Sequence, residues 1–301
     1  MNDSRSVDFD AQFEIHRARL RGLAYRMLAS VADTEDILQD AWLRWHEARD
    51  TAVEDPGAYL TRVVTHLCLD RLKSAQARRE CYVGQWLPEP LLASLDYYQP
   101  GPELAHELAR DLSFALLRTL DTLSPLERAA FLLHDVFDVD FDTIAGTLAR
   151  DAAACRQLAS RARQHIRAAR PRFETKAEDG TRLVAAFVAA IARGDLQGLT
   201  RVLADDVVFY SDGGGKVAAV LHPLQGGARV AKAMIGFANS YPPAGLRATF
   251  TPINGMAGVL INDVAGQVLQ TIAFEINDRS QIAAIYVQRN PDKLQHIVTD
   301  S

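Results

Sequence analysis

From about Phe9 to Arg79 apolar residues recur every three or four positions, a spacing that predicts helices throughout. Ile37, Leu38, Ala41, Trp42 and Trp45 fall on one face of a helix that Asp33 can cap. Asp33, Asp36 and Asp40 share a different face with Gln39. Asp55-Pro56 reads as a cap followed by proline at the first helical position. The helix it opens is expected to bury Tyr59, Leu60, Val63, Val64, Leu67 and Leu72. Its other side carries Arg62, His66, Asp70 and Lys73, with the pair Arg78-Arg79 beyond.

Residues 82–110 interrupt this pattern with Trp86-Leu87-Pro88-Glu89-Pro90 and Pro100-Gly101-Pro102, a proline-rich stretch that reads as a linker. Helical spacing resumes over residues 111–170. Ser124-Pro125-Leu126-Glu127 is a capping box with proline in the first turn, opening a helix through Ala129, Phe131, Leu132 and Val136. Asp140 or Asp142 can cap a short helix with Ile144, Ala145 and Leu148. After a break at 149–151 a longer helix places Cys155, Leu158, Ala159, Ala162 and Ile166 on its buried stripe. Arg156, Gln157, Ser160, Arg163, Gln164 and Arg167 point elsewhere. A short helix, a tight turn and a longer helix with Arg and Gln near its start is the layout of a helix-turn-helix.

From about Asp179 the periodicity becomes mixed. Amphipathic helices are predicted over 181–193, 198–203 and 228–240. Strands are predicted over 207–211, 217–222, 246–253, 258–262, 268–276 and 282–289. Asp212-Gly213-Gly214-Gly215-Lys216 would then be the turn of a hairpin, its glycines supplying positive φ. The same segment can also contact the helical domains or the proline-rich linker, and the two readings are compatible. It lacks the spacing and setting of a phosphate-binding loop. The fold class is therefore multidomain: two all-α domains followed by an α+β domain.

With 301 residues the chain has room for two or three domains, and no apolar run reaches the length of a membrane span. The polar, acidic start Met1–Asp10 is not the pattern of a signal peptide. Three scattered cysteines, Cys68, Cys81 and Cys155, argue for reduced thiols and a cytoplasmic location, and against a zinc site. The net charge of −5 hides a strong asymmetry. Between Arg150 and Lys176 eight Arg or Lys stand against Asp151 and Glu174, whereas 1–55 carries seven Arg against twelve acidic residues. Since charges screen over roughly 8–10 Å, a phosphate backbone responds to the local patch rather than to the total.

Arg156, Gln157, Ser160 and Arg161 suit a DNA groove, because Arg pairs with guanine edges or phosphate and Gln with adenine. Most polar helix faces are merely solvated. Here the turn spacing and the basic excess favour DNA. The acidic set Asp33, Glu35, Asp36 and Asp40 has no histidine at a matching turn, so no metal is expected and no cofactor is implied. Taken residue by residue it is ordinary solvation. Its functional alternative is a surface for a basic protein partner.

Two runs resemble region 2 of the extracytoplasmic-function sigma factors: 24–28 (Ala-Tyr-Arg-Met-Leu) and 33–42 (Asp-Thr-Glu-Asp-Ile-Leu-Gln-Asp-Ala-Trp). Two more, 123–128 (Leu-Ser-Pro-Leu-Glu-Arg) and 154–163 (Ala-Cys-Arg-Gln-Leu-Ala-Ser-Arg-Ala-Arg), resemble their region 4. Residues 82–90, 212–216 and 290–294 (Asn-Pro-Asp-Lys-Leu) are similar to the SigJ-like subgroup, which carries a C-terminal SnoaL-like domain. The resemblance divides the chain into region 2 (1–80), a linker (81–110), region 4 (111–172) and a SnoaL/NTF2-like domain (179–295). It implies a non-enzymatic transcription initiation factor that recruits core RNA polymerase, through the β′ clamp helices and β flap, to promoter DNA. Asp33, Glu35, Asp36, Gln39 and Asp40 would bind polymerase. Arg62 and His66 would read the −10 element as single strand, with Arg71, Lys73, Arg78 and Arg79 on its phosphates. Arg156, Gln157, Ser160, Arg161 and Arg163 would enter the −35 groove. Trp86, Pro88, Glu89, Pro90, Asp212, Gly213, Gly214, Gly215 and Lys216 would form a regulatory contact. The SnoaL/NTF2-like domain would be an α+β cone that offers a site for a small ligand, and the free protein is expected to be a monomer.

Two rivals remain at this level. A one-component helix-turn-helix regulator with a ligand-binding domain explains 111–290 and leaves Asp33–Trp45 without a role. An isomerase of the cone-fold type, with Asp212 as its base, leaves Arg156–Arg167 unexplained.

Overall fold

The structure is a computed structural model that describes residues 2–50, 53–80, 82–92, 112–169, 177–240 and 245–298. Its contacts divide into two compact units. One comprises 1–80, 95–112 and 116–170; the other comprises 81–94, 113–115 and 171–301.

The first unit is entirely helical among its described residues. Three helices come first: α1 (Asn2–Leu28), α2 (Val31–Glu47) and α3 (Pro56–Glu80). The cap of α2 is Ser30 rather than Asp33: its Oγ accepts from the Asp33 amide at 3.1 Å. Asp33 lies inside the first turn, where its charge still complements the helix dipole. Asp55 caps α3 as expected, accepting from the Ala58 amide at 2.9 Å. The apolar stripes of these helices meet around Trp45, which is 1% exposed. The Trp45 ring stacks on Phe9 at 4.0 Å and its Nε1 donates to the Phe9 carbonyl. Leu20, Leu23, Ile37, Leu60 and Val64 complete that core.

Four more helices come next: α4 (Phe114–Thr122), α5 (Pro125–Phe131), α6 (Phe141–Leu148) and α7 (Ala152–Ala169). The predicted capping box is formed in both directions, Ser124 to the Glu127 amide and Glu127 back to Ser124. After Phe131 the helix widens into a π turn, Leu132–Val136, marked by the Phe137 amide reaching the Leu132 carbonyl at 3.0 Å. Asp140 caps α6, and Ala149 turns the chain with a left-handed backbone (φ 51°). Asp151 then accepts from the Ala154 amide at the start of α7. Cys155, Ala159 and Ala162 give α7 a narrow buried stripe that lets α5 pack closely against it.

Within this unit the two helical groups are joined by buried polar contacts. Arg128 of α5, 3% exposed, donates to the Met27 carbonyl at the end of α1 (2.6 Å) and to Asp121 (3.0 Å). Burial lowers its pKa to about 10, which still leaves the guanidinium charged at neutral pH.

The second unit is α+β. Helices α8 (Ala177–Ala192), α9 (Leu196–Val202) and α10 (Gly227–Ser240) accompany a six-stranded mixed sheet in the order β2-β1-β6-β5-β4-β3. The strands are β1 (Leu203–Asp212), β2 (Leu224–Gln225), β3 (Arg247–Phe250), β4 (Ala257–Asn262), β5 (Val268–Ile276) and β6 (Ile282–Gln288). β1 runs parallel to β6; the other pairings are antiparallel. The predicted strand at 217–222 does not form, so 212–216 is not a hairpin turn. β1 instead pairs with the short β2 after an irregular excursion.

The alternation along the strands serves two apolar layers. One face, with Phe209, Val259, Phe274 and Ile285, packs against Val184 and Phe187 of α8 and Val230 and Met234 of α10. The opposite face, with Leu260, Ala273, Ala284 and Tyr286, is covered by Leu87, Leu92, Phe114 and the C-terminal Leu294 and Ile297. The tail beyond β6 and the segment read as linker therefore occupy the same face.

Candidate polymerase and nucleic-acid surfaces and a linker clasp

α2 presents the acidic set on its polar side. Gln39 and Asp40 are exposed. Asp33 and Asp36 both pair with Arg71 of α3, at 3.2 and 3.0 Å, and Glu35 pairs with Arg21 of α1 at 3.0 Å. Arg71, expected on phosphates, therefore holds the acidic face in place here. Beside this face lies a groove of about 380 Å³ lined by Phe13, Arg17, Glu35, Leu38, Gln39 and Trp42. The Trp42 and Leu43 side chains next to it are exposed at 37% and 48%. Trp42 was expected on the buried stripe; the structure turns it outward, where it stacks on His46.

Arg62 and Lys73 of α3 are exposed, Arg62 over the Tyr59 ring and Lys73 paired with Asp70 at 2.8 Å. His66 Nε2 lies 2.6 Å from the Thr147 carbonyl of α6, so its ring is engaged within the unit. The Arg78 and Arg79 side chains lie outside the described residues. On α7, Arg156, Gln157, Ser160 and Arg161 are all exposed on one side, with Arg156 over the Phe141 ring. Arg163 is partly buried and bound to Asp135.

The second unit holds a closed polar cluster. Asp212, the last residue of β1, has no exposed surface. Its Oδ1 accepts from the Tyr82 hydroxyl (2.6 Å) and the Gly214 amide (2.9 Å). Its Oδ2 accepts from the Leu87 amide (2.9 Å), Gln288 Nε2 (3.2 Å) and Lys293 Nζ (2.8 Å). Lys293 also donates to the Leu87 carbonyl and lies 4.2 Å from the Trp86 ring centroid and 4.9 Å from that of Tyr82. Such a cation is stabilised by carboxylate, carbonyl and two π faces at once.

Around this centre the segment Tyr82–Leu92 is held along its length. Gln288 reaches the Pro88 carbonyl, His296 Nε2 the Pro90 carbonyl at 2.8 Å, and Leu91 is hydrogen-bonded to Asn254 through both its amide and its carbonyl. Glu89 is buried. Burial and then the hydrogen bond to Asp212 push the Tyr82 hydroxyl well above its ordinary pKa, so it remains a donor.

The glycines of 213–215 have individual reasons. Gly214 (φ 61°) and Gly215 (φ 70°) are left-handed. A side chain at Gly214 would collide with Asn290, and one at Gly213 with the Val217 carbonyl; one at Gly215 would crowd Val83. Lys216 pairs with exposed Asp292 rather than with the proline-rich segment. Tyr82, Gln288, Asn290 and Lys293 belong to this cluster without having been expected there. The Asn290–Leu294 motif was the available signal, but nothing in its spacing says that its lysine turns inward. Asp212, weighed as a base, is filled on both oxygens and closed to solvent. Among the described residues no group of His, Cys, Asp or Glu could hold a metal, and no helix is long and apolar enough to cross a membrane.

The Sigma-70 region 2 family matches residues 12–78 and the Sigma-70 region 4 family matches 113–166. The chain is 38% identical over 292 residues to the ECF RNA polymerase sigma factor SigJ of Mycobacterium tuberculosis, covering 94% of this chain and 92% of that protein. This protein belongs to the ECF RNA polymerase sigma factors. The crystal structure of M. tuberculosis SigJ matches this sigma factor with a TM-score of 0.74 at 34% identity, over 95% of this chain and 98% of that one. A probable ECF sigma factor, SigI of M. tuberculosis, is 35% identical over 195 residues, 64% of this chain and 66% of that one. As a sigma factor, this protein binds core RNA polymerase and directs it to promoter DNA. The region 2 match falls on α1–α3 and the region 4 match on α4–α7.

Proposed function

We propose that the C-terminal unit is a built-in regulator of this sigma factor, acting through the segment that joins region 2 to region 4. The observation that carries the reading is Asp212: fully buried, it binds the side chain of Tyr82 and the backbone of Leu87, both from that segment. Phe114, the first residue of α4, stacks on Tyr286, which stacks on Tyr210. Both ends of the connecting segment thus belong to the sheet layer, and chain connectivity then restrains how far the two regions can part. The engagement of His66 by Thr147 supports the same reading, since the ring implied for the −10 element is occupied in this state. Polymerase, or a small ligand, shifts the equilibrium by favouring the released form.

The division of labour follows the resemblance: 1–80 for polymerase and the −10 element, 81–110 as the regulated linker, 111–172 for the −35 element, 179–295 as the SnoaL/NTF2-like regulator. Asp33, Glu35, Asp36, Gln39 and Asp40, with the groove at Trp42, dock on the β′ clamp helices, and region 4 meets the β flap. Arg62, His66, Arg71, Lys73, Arg78 and Arg79 serve the −10 strand; Arg156, Gln157, Ser160, Arg161 and Arg163 serve the −35 groove. A small apolar ligand would enter beside Phe237 and Phe250. Both are exposed, and Phe250 is paired with Val259 on the helix-covered face of the sheet. The protein acts in the cytoplasm, without catalysis, and is a monomer when free. Gel filtration with core polymerase and runoff transcription, comparing wild type with a chain ended before Asp179, tests the regulatory role. Equal activity at every polymerase concentration refutes it.

A further inference from the structure

We propose that Asp135 is a positioning residue for promoter binding: it orients the Arg163 guanidinium so that the terminal amines of Arg163 grip a DNA phosphate. The inference rests on the reading of α7 as the −35 helix and adds a residue that the sequence did not suggest.

Asp135 stands in the π turn Leu132–Val136. The extra residue of a π turn rotates the succeeding side chains relative to a regular helix, and here the turn brings the Asp135 carboxylate against α7. Its Oδ1 accepts from Arg163 Nε at 2.6 Å, with the two side chains 18% and 31% exposed. The bond is to Nε and not to the guanidinium fork. Arg163 makes no other hydrogen bond to a described residue, so its Nη1 and Nη2 groups keep their donors. A guanidinium carries five donors in a rigid plane. Holding one edge by a carboxylate fixes the plane and leaves the other edge free for a second anion. Arg163 sits one and two turns of α7 beyond Ser160 and Arg156, on the rim of the exposed face. A phosphate beside a groove-reading helix is met from such a rim.

Arg156 is treated in a comparable way, lying over the Phe141 ring at 5.4 Å. Phe141 in turn packs on His134 of the same π turn. Both arginines are therefore held from one direction before DNA arrives. A long side chain already ordered loses less rotamer freedom on binding, an effect worth about threefold to tenfold in affinity.

The test exploits a sign. A carboxylate close to DNA repels phosphate, so if Asp135 were only a nearby charge its removal would tighten binding. A positioning role requires removal to weaken it. The full chain, assembled with core polymerase, is titrated by fluorescence anisotropy with a duplex that the wild-type holoenzyme selects from a randomised library. Asp135→Ala and Asp135→Asn are compared with Arg163→Ala and the double variant, at several salt concentrations. Asp135→Ala is expected to weaken binding about threefold to tenfold. It is expected to have no further effect once Arg163 is Ala. Arg163→Ala itself lowers the salt slope by about one. Asp135→Asn keeps an oxygen acceptor for Nε and a similar shape, so it keeps more of the affinity than Asp135→Ala. Equal or tighter binding by Asp135→Ala overturns the proposal, as do additive losses in the double variant. If Asp135→Ala does not fold, Asp135→Ser, whose shorter side chain withdraws the acceptor from Arg163 Nε, carries the same comparison, and binding by it as tight as or tighter than wild type overturns the proposal. Arg156→Ala and Gln157→Ala separately test the −35 reading. If neither changes the selected sequence, that reading fails, whatever Asp135 does.

Discussion

Lys293 Nζ lies 2.8 Å from Asp212 Oδ2, and the two side chains are 8% and 0% exposed. An ion pair so closed to water is stabilising only when its remaining donors and acceptors are filled. Here they are filled by Tyr82, Leu87, Gly214 and Gln288. Removing one partner leaves the other charge buried. Asp212→Ala is expected to destabilise the C-terminal unit by about 3–5 kcal/mol, measured by denaturant unfolding with a Trp fluorescence readout at Trp86. Restoring neutrality with Asp212→Ala/Lys293→Met should recover part of the loss; no recovery would mean the pair is not coupled.

Gly214→Ala forces a side chain into a left-handed position and against Asn290. A loss of about 1–3 kcal/mol is expected. Gly146→Ala, where nothing lies within 4 Å of the new carbon, should be neutral or slightly stabilising because alanine favours helix. Thermal melts of both variants check the contrast.

How far the sequence was legible depends on the range of the forces. The capping box at Ser124, the Asp55-Pro56 helix start and the stripe of α7 are set by neighbours three or four residues away, and each formed. The cap of α2 falls at Ser30 and not at the expected Asp33, although Asp33 also satisfies the local pattern. Its carboxylate is taken instead by Arg71, thirty-eight residues on. The absent strand at 217–222 had suitable composition, but β1 takes β6 as its partner, more than seventy residues later. The clasp was least visible: Tyr82, Asp212 and Lys293 are far apart in sequence, and burial of a lysine follows no periodicity.

Glu127 is held below its ordinary carboxylate pKa, chiefly by the Ser124 hydroxyl. A carboxylate whose folded pKa is depressed adds stability above its unfolded value, near 4.5, and that contribution is lost as pH falls through the lower folded value. Ser124→Ala should therefore cost about 1 kcal/mol at neutral pH. The gap between variant and wild type should narrow in melts below pH 4.5. A gap independent of pH would assign the cap to the hydroxyl alone.

Asp40 is exposed on α2, and Asp36, although paired with Arg71, is also on the surface. Asp36→Arg/Asp40→Arg should abolish co-elution with core polymerase while leaving the melting temperature within about 2–3 °C of wild type, as surface changes usually do. Undiminished co-elution would move the docking surface away from α2.

The claim that the C-terminal unit restrains the sigma regions is tested most directly by loosening the clasp without removing the domain. Runoff transcription from a selected promoter is measured against core polymerase concentration for wild type and Tyr82→Phe, which deletes only the hydroxyl bound to Asp212 and Asn290. Losing a hydrogen bond to a charged group costs about 1.5–3 kcal/mol. Half-maximal activity at a polymerase concentration at least about tenfold lower is the expected result. Superimposable curves from a folded Tyr82→Phe protein would contradict the account.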